Sequence, residues 1–195
     1  PGSFLEYLPA AELLVVDRPG ERGLDVVIPS LPGFGFSDPP RAPGMHPGRI
    51  AERIHALMGA LGYPRYGVQG GDWGAIVGAR LAREHPEAVV GLHLNFPAGL
   101  VPLEDGAPTG EERIYEDWTR RWAESEGGYS HIQRTKPQTL GYGLTDSPVA
   151  LLAWILEKFW SWTDCNGHPE NALSRDEMLD NVMLYWLPAT GASSA

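Results

Sequence analysis

The run Gly70-Gly71-Asp72-Trp73-Gly74, set between a strand-like and a helix-like stretch, restricts this chain more than any other feature. Tyr66-Gly67-Val68-Gln69 before it reads as a short strand, and Trp73 to His85 after it reads as a helix stopped by Pro86. Small residues two before and two after a central side chain make a sharp turn that lifts that side chain above the end of a sheet. In open parallel sheets, ligands collect at the carboxyl ends of the strands. The turn is therefore both a fold constraint and a candidate site.

The flanks repeat the same alternation. Asp25-Val26-Val27-Ile28 reads as a buried strand running into the loop Pro29-Ser30-Leu31-Pro32-Gly33. Between His46 and Leu61 the apolar positions Ile50, Ile54, Leu57, Met58 and Leu61 keep helical spacing, closed by Gly62. Val89 to Asn95 reads as the next strand. Strand–helix alternation implies a parallel sheet with crossover helices. After Phe96 to Pro108, a connection bearing Pro and Gly, everything reads as helix. Thr109-Gly110-Glu111-Glu112 and Ser174-Arg175-Asp176-Glu177 are capping boxes, and Asp146-Ser147-Pro148 supplies an N-cap and an N1 proline. The helix from Val149 to Trp160 is apolar almost all round and is expected to be buried. The expected division is residues 1–95 as an α/β core and 96–195 as a helical layer.

Composition narrows the function classes. Apolar residues make up 43% of 195, enough for a packed core, and the formal net charge is −10. Such a surface does not suit nucleic acid or anionic lipid, which need basic faces. Cys165 is the single cysteine, so no intrachain disulfide forms. The six histidines include no His-x-x-x-His pair, and His85 and His93 are separated by a proline, so no metal is expected. Apolar runs reach about eight residues, as in Val149 to Leu156, against the roughly 20 a membrane helix needs. No signal or membrane segment is visible, which favours the cytoplasm. The compartment stays open, because the chain begins Pro1-Gly2-Ser3 without an initiator Met and an upstream segment is expected.

Asp72 at the turn dictates a chemistry. A strained backbone there would project the carboxylate, and glycines at 70 and 74 would relieve crowding. The Trp73 N–H, at the start of the helix, would be an oxyanion-hole donor. A carboxylate nucleophile attacks an sp³ carbon and forms an alkyl ester, and water then attacks the Asp72 carbonyl. Epoxides and alkyl halides suit this; esters and amides do not. Asp72 could instead be an ordinary helix N-cap, but the preceding strand and three flanking glycines favour the nucleophile. A P-loop fails for want of Gly-Lys-Ser/Thr, and the Gly-x-Gly-x-x-Gly spacing is absent.

The five-residue turn resembles the nucleophile elbow of epoxide hydrolases of the microsomal type, members of the α/β-hydrolase superfamily. Further motifs carry the resemblance along nearly the whole chain. Pro1 to Phe4 is similar to the tail of a His-Gly-x-Pro oxyanion motif, and Ser30 to Ser37 to the loop after the fourth core strand. Gly91 to Asn95 is similar to the strand leading into the lid. Gln133 to Thr139 and Leu144 to Pro148 are similar to the lid itself. The resemblance implies an α/β-hydrolase core with an α-helical lid, incomplete at both ends, acting on a small apolar epoxide without a cofactor. It makes Tyr129, in Gly127-Gly128-Tyr129-Ser130-His131, the lid proton donor, and Trp73 and Tyr129 the substrate-binding pair. Tyr142 and Tyr185 read as packing, and Trp118, Trp122, Trp154, Trp160 and Trp162 as more often core than pocket.

The same resemblance requires a histidine base and an acid after the lid. His85 reads as a helix end, His93 as strand, and His131 and His168 as lid helix or loop, so none is taken as the base. The base, its acid and a second lid tyrosine are expected beyond Ala195, and residues 1–195 alone are expected not to complete turnover. Two other readings remain open at this point. Haloalkane dehalogenases share the Asp-Trp-Gly elbow, and a binding protein could retain the fold without catalysis. Oligomeric state is not legible.

Overall fold

The computed structural model describes residues 2–96 and 109–195. The connection read from Phe96 to Pro108 therefore lies outside the described residues except for Phe96, as does Pro1 of the N-terminal motif. The chain divides into two compact units, residues 1–39 with 127–195, and residues 40–126.

The second unit holds the sheet. Helix α2 (Pro47–Ala60) leads to strand β1 (Tyr66–Gly70), helix α3 (Trp73–Glu84) and strand β2 (Val89–Leu94); helix α4 (Gly110–Glu126) follows the connection. The strands pair in parallel, with Val68 opposite Leu92 and Gly70 opposite Leu94. Parallel neighbours need a crossover, and α3 supplies it. It lies on both strands so closely that a Cβ at Gly78 would meet Val68 Cγ1 at 3.1 Å and Leu92 Cδ1 at 3.5 Å. Ala51, Tyr66, Val77, Leu81 and Ala88 form the buried centre, with Ile50, Ile54, Met58, Val68 and Val89 around them. Leu57 and Leu61 face outward, so the predicted stripe of α2 is wider than the face it buries.

The first unit is helical: a 3-10 turn (Phe4–Tyr7), α1 (Leu8–Leu14), α5 (Gly128–Thr135), α6 (Pro137–Asp146), α7 (Pro148–Trp162) and α8 (Arg175–Trp186). Its core joins Leu144, Leu151, Ile155, Val182 and Tyr185, flanked by Phe34, Leu140 and Trp154. Tyr185, read as packing, is buried; its hydroxyl donates to the Gly2 carbonyl at 2.6 Å and accepts from the Gly2 N–H at 3.1 Å. The capping signals act as read. Ser147 accepts from Ala150 N–H, Thr109 and Glu112 exchange hydrogen bonds, and so do Ser174 and Glu177.

Four expectations are corrected. Asp25–Ile28 lies in no ladder among the described residues, since β-branched residues make a strand only where a neighbouring strand pairs with them. Helix α7 buries only Leu151, Ile155 and Lys158, and Val149 is 71% exposed. Of the five tryptophans read as more often core than pocket, Trp118, Trp160 and Trp162 are exposed and Trp122 is half-buried, while Trp154 is half-buried against the core of the first unit. Tyr142 does not pack, being 69% exposed. For α7 and the tryptophans, the apolar residues marked a surface without identifying what covers it.

Candidate active site

Asp72 closes the turn between β1 and α3 at φ 50° and ψ −125°. That is positive φ on a residue with a Cβ, a conformation costing about 1–3 kcal/mol that surrounding structure must hold in place. Asp72 Oδ1 accepts from its neighbour's N–H, Trp73, at 2.7 Å. Two genuine caps in the chain look different. Ser147 (φ −121°, ψ 113°) and Ser174 (φ −63°, ψ 159°) sit in extended backbone and accept from the N–H three residues on. An N-cap needs neither positive φ nor the first helical N–H. Capping accounts for a carboxylate at this place but not for its backbone.

The glycines explain how the turn is held. A Cβ at Gly70 would fall 2.2 Å from the Gly74 carbonyl oxygen and 2.5 Å from its carbon. Those are backbone atoms with no rotamer to escape to, so only Gly fits. At Gly71 the Cβ would fall 2.3 Å from Asn95 Oδ1, a side-chain end that can turn aside. At Gly74 it would meet nothing within 4 Å among the described residues. The expected crowding at minus two and plus two is therefore one-sided: position 70 requires glycine and position 74 does not.

Asn95, at the end of β2, was read only as a strand terminus. Its N–H donates to the Gly70 carbonyl at 3.2 Å, and its side chain lies on Gly71, beside Asp72. Its place becomes apparent once the register sets Leu94 opposite Gly70. The Asp72 and Trp73 side chains are exposed among the described residues.

Tyr129 belongs to the other unit. It lies in the first turn of α5, half-buried, with its ring edge-to-face on Trp162 at 5.1 Å between centroids. Lys158 Nζ lies 5.0 Å from the Tyr129 ring centroid and 5.1 Å from that of Trp162. Lys158 was not among the sequence candidates, although a signal existed. Leu151, Ile155 and Lys158 follow helical spacing, which puts a charge on a buried stripe.

His85 ends α3, whose 12 residues rise about 18 Å from the Asp72 end. It stacks on His55 at 3.7 Å and meets Glu52 Oε1 at 3.0 Å. His93 lies in β2, His131 in α5, and His168 caps the 3-10 turn Pro169–Asn171. No group of three or more His, Cys, Asp or Glu able to hold a metal occurs among the described residues.

Comparison with known proteins bears on this arrangement. Residues 1–135 match the alpha/beta hydrolase fold family. A protein of Stigmatella aurantiaca (strain DW4/3-1), provisionally named an epoxide hydrolase, is 46% identical over all of this chain and 46% of its own length. The juvenile hormone epoxide hydrolase of Bombyx mori is 40% identical over 95% of this chain and 45% of its own. Its crystal structure superimposes with a TM-score of 0.80 over 100% of this chain and 47% of that one. The Aspergillus niger epoxide hydrolase structure gives a TM-score of 0.82 at 33% identity, over 99% of this chain and 50% of that one. The chain thus spans about half the length of the relatives it matches. The resemblance read from the motifs is borne out along the whole chain.

Proposed function

This chain belongs to the alpha/beta hydrolase fold family, and from that premise we propose that it opens epoxides to vicinal diols through an alkyl ester on Asp72. Residues 1–95 serve in this reading as core and 96–195 as lid, a division by role rather than by compactness. The substrate class in this reading is a small apolar epoxide; the names of the relatives support the epoxide.

The observation that carries the reading is the Asp72 backbone, at φ 50° and ψ −125° between strand and helix, with Oδ1 on the Trp73 N–H. Strain of this kind clusters at functional sites, and a cap would not need it. In the proposed reaction the other carboxylate oxygen attacks an epoxide carbon and forms a C–O bond. The ring C–O bond breaks, and the electron pair stays on the ring oxygen. Tyr129 gives that oxygen its phenolic proton. Water then adds to the Asp72 carbonyl carbon. The charge that develops on Oδ1 meets the Trp73 N–H, already in place at 2.7 Å. Collapse breaks the ester C–O bond and restores the carboxylate; of water's two protons, passed on by the base, one goes to the departing alkoxide, completing the diol, and the other returns to the Tyr129 phenolate. The base that takes the water's proton is assigned to none of this chain's histidines.

Intact-mass measurement after mixing with an epoxide tests the reading. An adduct of the substrate's mass should form and be absent in Asp72→Ala. An adduct that survives in that variant would place the nucleophile elsewhere. Tyr129→Phe should slow epoxide opening; an unaffected epoxide reaction alongside release of halide from an alkyl halide would favour dehalogenation.

A further inference from the structure

Lys158 stands where an apolar residue is expected. It completes the buried stripe of α7 and is only 5% exposed. An ammonium is rarely buried to this extent unless other groups hold its charge. Three groups hold it here. Glu157 Oε1 accepts from Nζ at 2.6 Å, and the rings of Tyr129 and Trp162 lie 5.0 and 5.1 Å from it. Both distances are within the range of about 6 Å over which a ring quadrupole attracts a cation. One of the two rings belongs to the residue assigned as proton donor.

We propose that Lys158 is a positioning residue for Tyr129, holding the ring and stabilising the negative charge it acquires as the epoxide opens. The inference rests on the reading of Tyr129 as donor. When the ring oxygen takes the phenolic proton, the O–H electron pair stays on Tyr129 and leaves a phenolate. The charge spreads into the ring, whose face then attracts the ammonium more strongly than before. An interaction that strengthens along the reaction lowers the barrier, whereas one equal in both states does not. Trp162 meets the same ring edge-to-face, with 5.1 Å between centroids. A lysine serving only as packing would contribute its methylene stem and leave the charge without effect.

Lys158→Met retains a stem of similar length without the charge, and Lys158→Arg retains the charge. Each is made in the full-length protein, alone and with Tyr129→Phe. The readings are thermal melting, KM, and the single-turnover rate of alkylation by styrene oxide. Lys158→Met should slow alkylation about tenfold, equivalent to about 1.4 kcal/mol, with KM changed less than twofold. Lys158→Arg should recover most of the rate. In the Tyr129→Phe background Lys158→Met should have no further effect. A tenfold loss in both backgrounds, or a wild-type rate in Lys158→Met, overturns the inference while leaving Tyr129 as donor. A wild-type rate in Tyr129→Phe overturns both readings together. Lys158→Gln carries the same comparison where the methionine variant does not fold.

Discussion

The three glycines of the turn should respond to alanine in a fixed order. At Gly70 the added Cβ would lie 2.2 Å from the Gly74 carbonyl oxygen, 2.5 Å from its carbon and 3.0 Å from Ala75 N. All three are backbone atoms at the start of α3, so relief requires moving the helix or the strand. Overpacking of a close-fitting site costs about 1–3 kcal/mol, and immovable neighbours place Gly70→Ala near the upper end, about 3 kcal/mol. At Gly71 all three nearest atoms belong to the Asn95 side chain, which can turn. Gly71→Ala should cost below about 1 kcal/mol, the scale of one displaced rotamer. At Gly74, inside α3 with open space around it, alanine removes unfolded-state freedom and should stabilise by about 0.5–1 kcal/mol. Urea unfolding of the full-length variants reads this directly as midpoint shifts at constant slope. Equal losses at 70 and 74, or a larger loss at 71 than at 70, would refute the geometry of the turn.

Other perturbations have equally specific outcomes. Leu81 (2% exposed) and Leu151 (1%) are fully buried in the two separate cores. Alanine at either should cost about 2–5 kcal/mol in denaturant unfolding, and a loss under 1 kcal/mol would mean that the core collapses around the gap. Hydrogen bonds from the Ser174 hydroxyl and N–H hold the Glu177 carboxyl below the usual glutamate range. A depressed carboxylate stabilises above its unfolded pKa of about 4.3 and loses that contribution as pH falls through the folded value. Protection of the amides in the first turn of α8, taken relative to the intrinsic exchange rate at each pH, should therefore fall on acidification below about pH 4.3, and Glu177→Gln should flatten the response. An unchanged response in that variant would assign the effect to another group.

Locally coded features were legible in the sequence. The capping boxes at Thr109 and Ser174, strands β1 and β2, and the crossover α3 all depend on residues within a few positions of one another. So does the Asp72 turn, where Gly70 leaves the space that a Cβ would take from the Gly74 backbone. Features that depend on a distant neighbour were not legible. The β-branched run Asp25–Ile28 has the propensity of a strand but no paired strand among the described residues. The apolar circumference of α7 says nothing about which side is covered, and Val149 and Trp160 are exposed while Lys158 is not. The Asn95 contact needed the β1–β2 register, and the Lys158 contact needed α7 beside the start of α5. For helix α1 the local signal is Pro9 in its first turn.

The central claim is that Asp72, and not water, attacks the epoxide. A single turnover by the full-length protein in H2(18)O, with enzyme in excess over styrene oxide, tests it most directly. If Asp72 forms the ester and water attacks its carbonyl carbon, the diol leaves without the heavy isotope. One heavy oxygen then remains in the peptide containing Asp72, between Gly71 and Trp73. If water attacks the epoxide itself, the heavy oxygen appears in the diol and the peptide stays unlabelled, which would contradict the account.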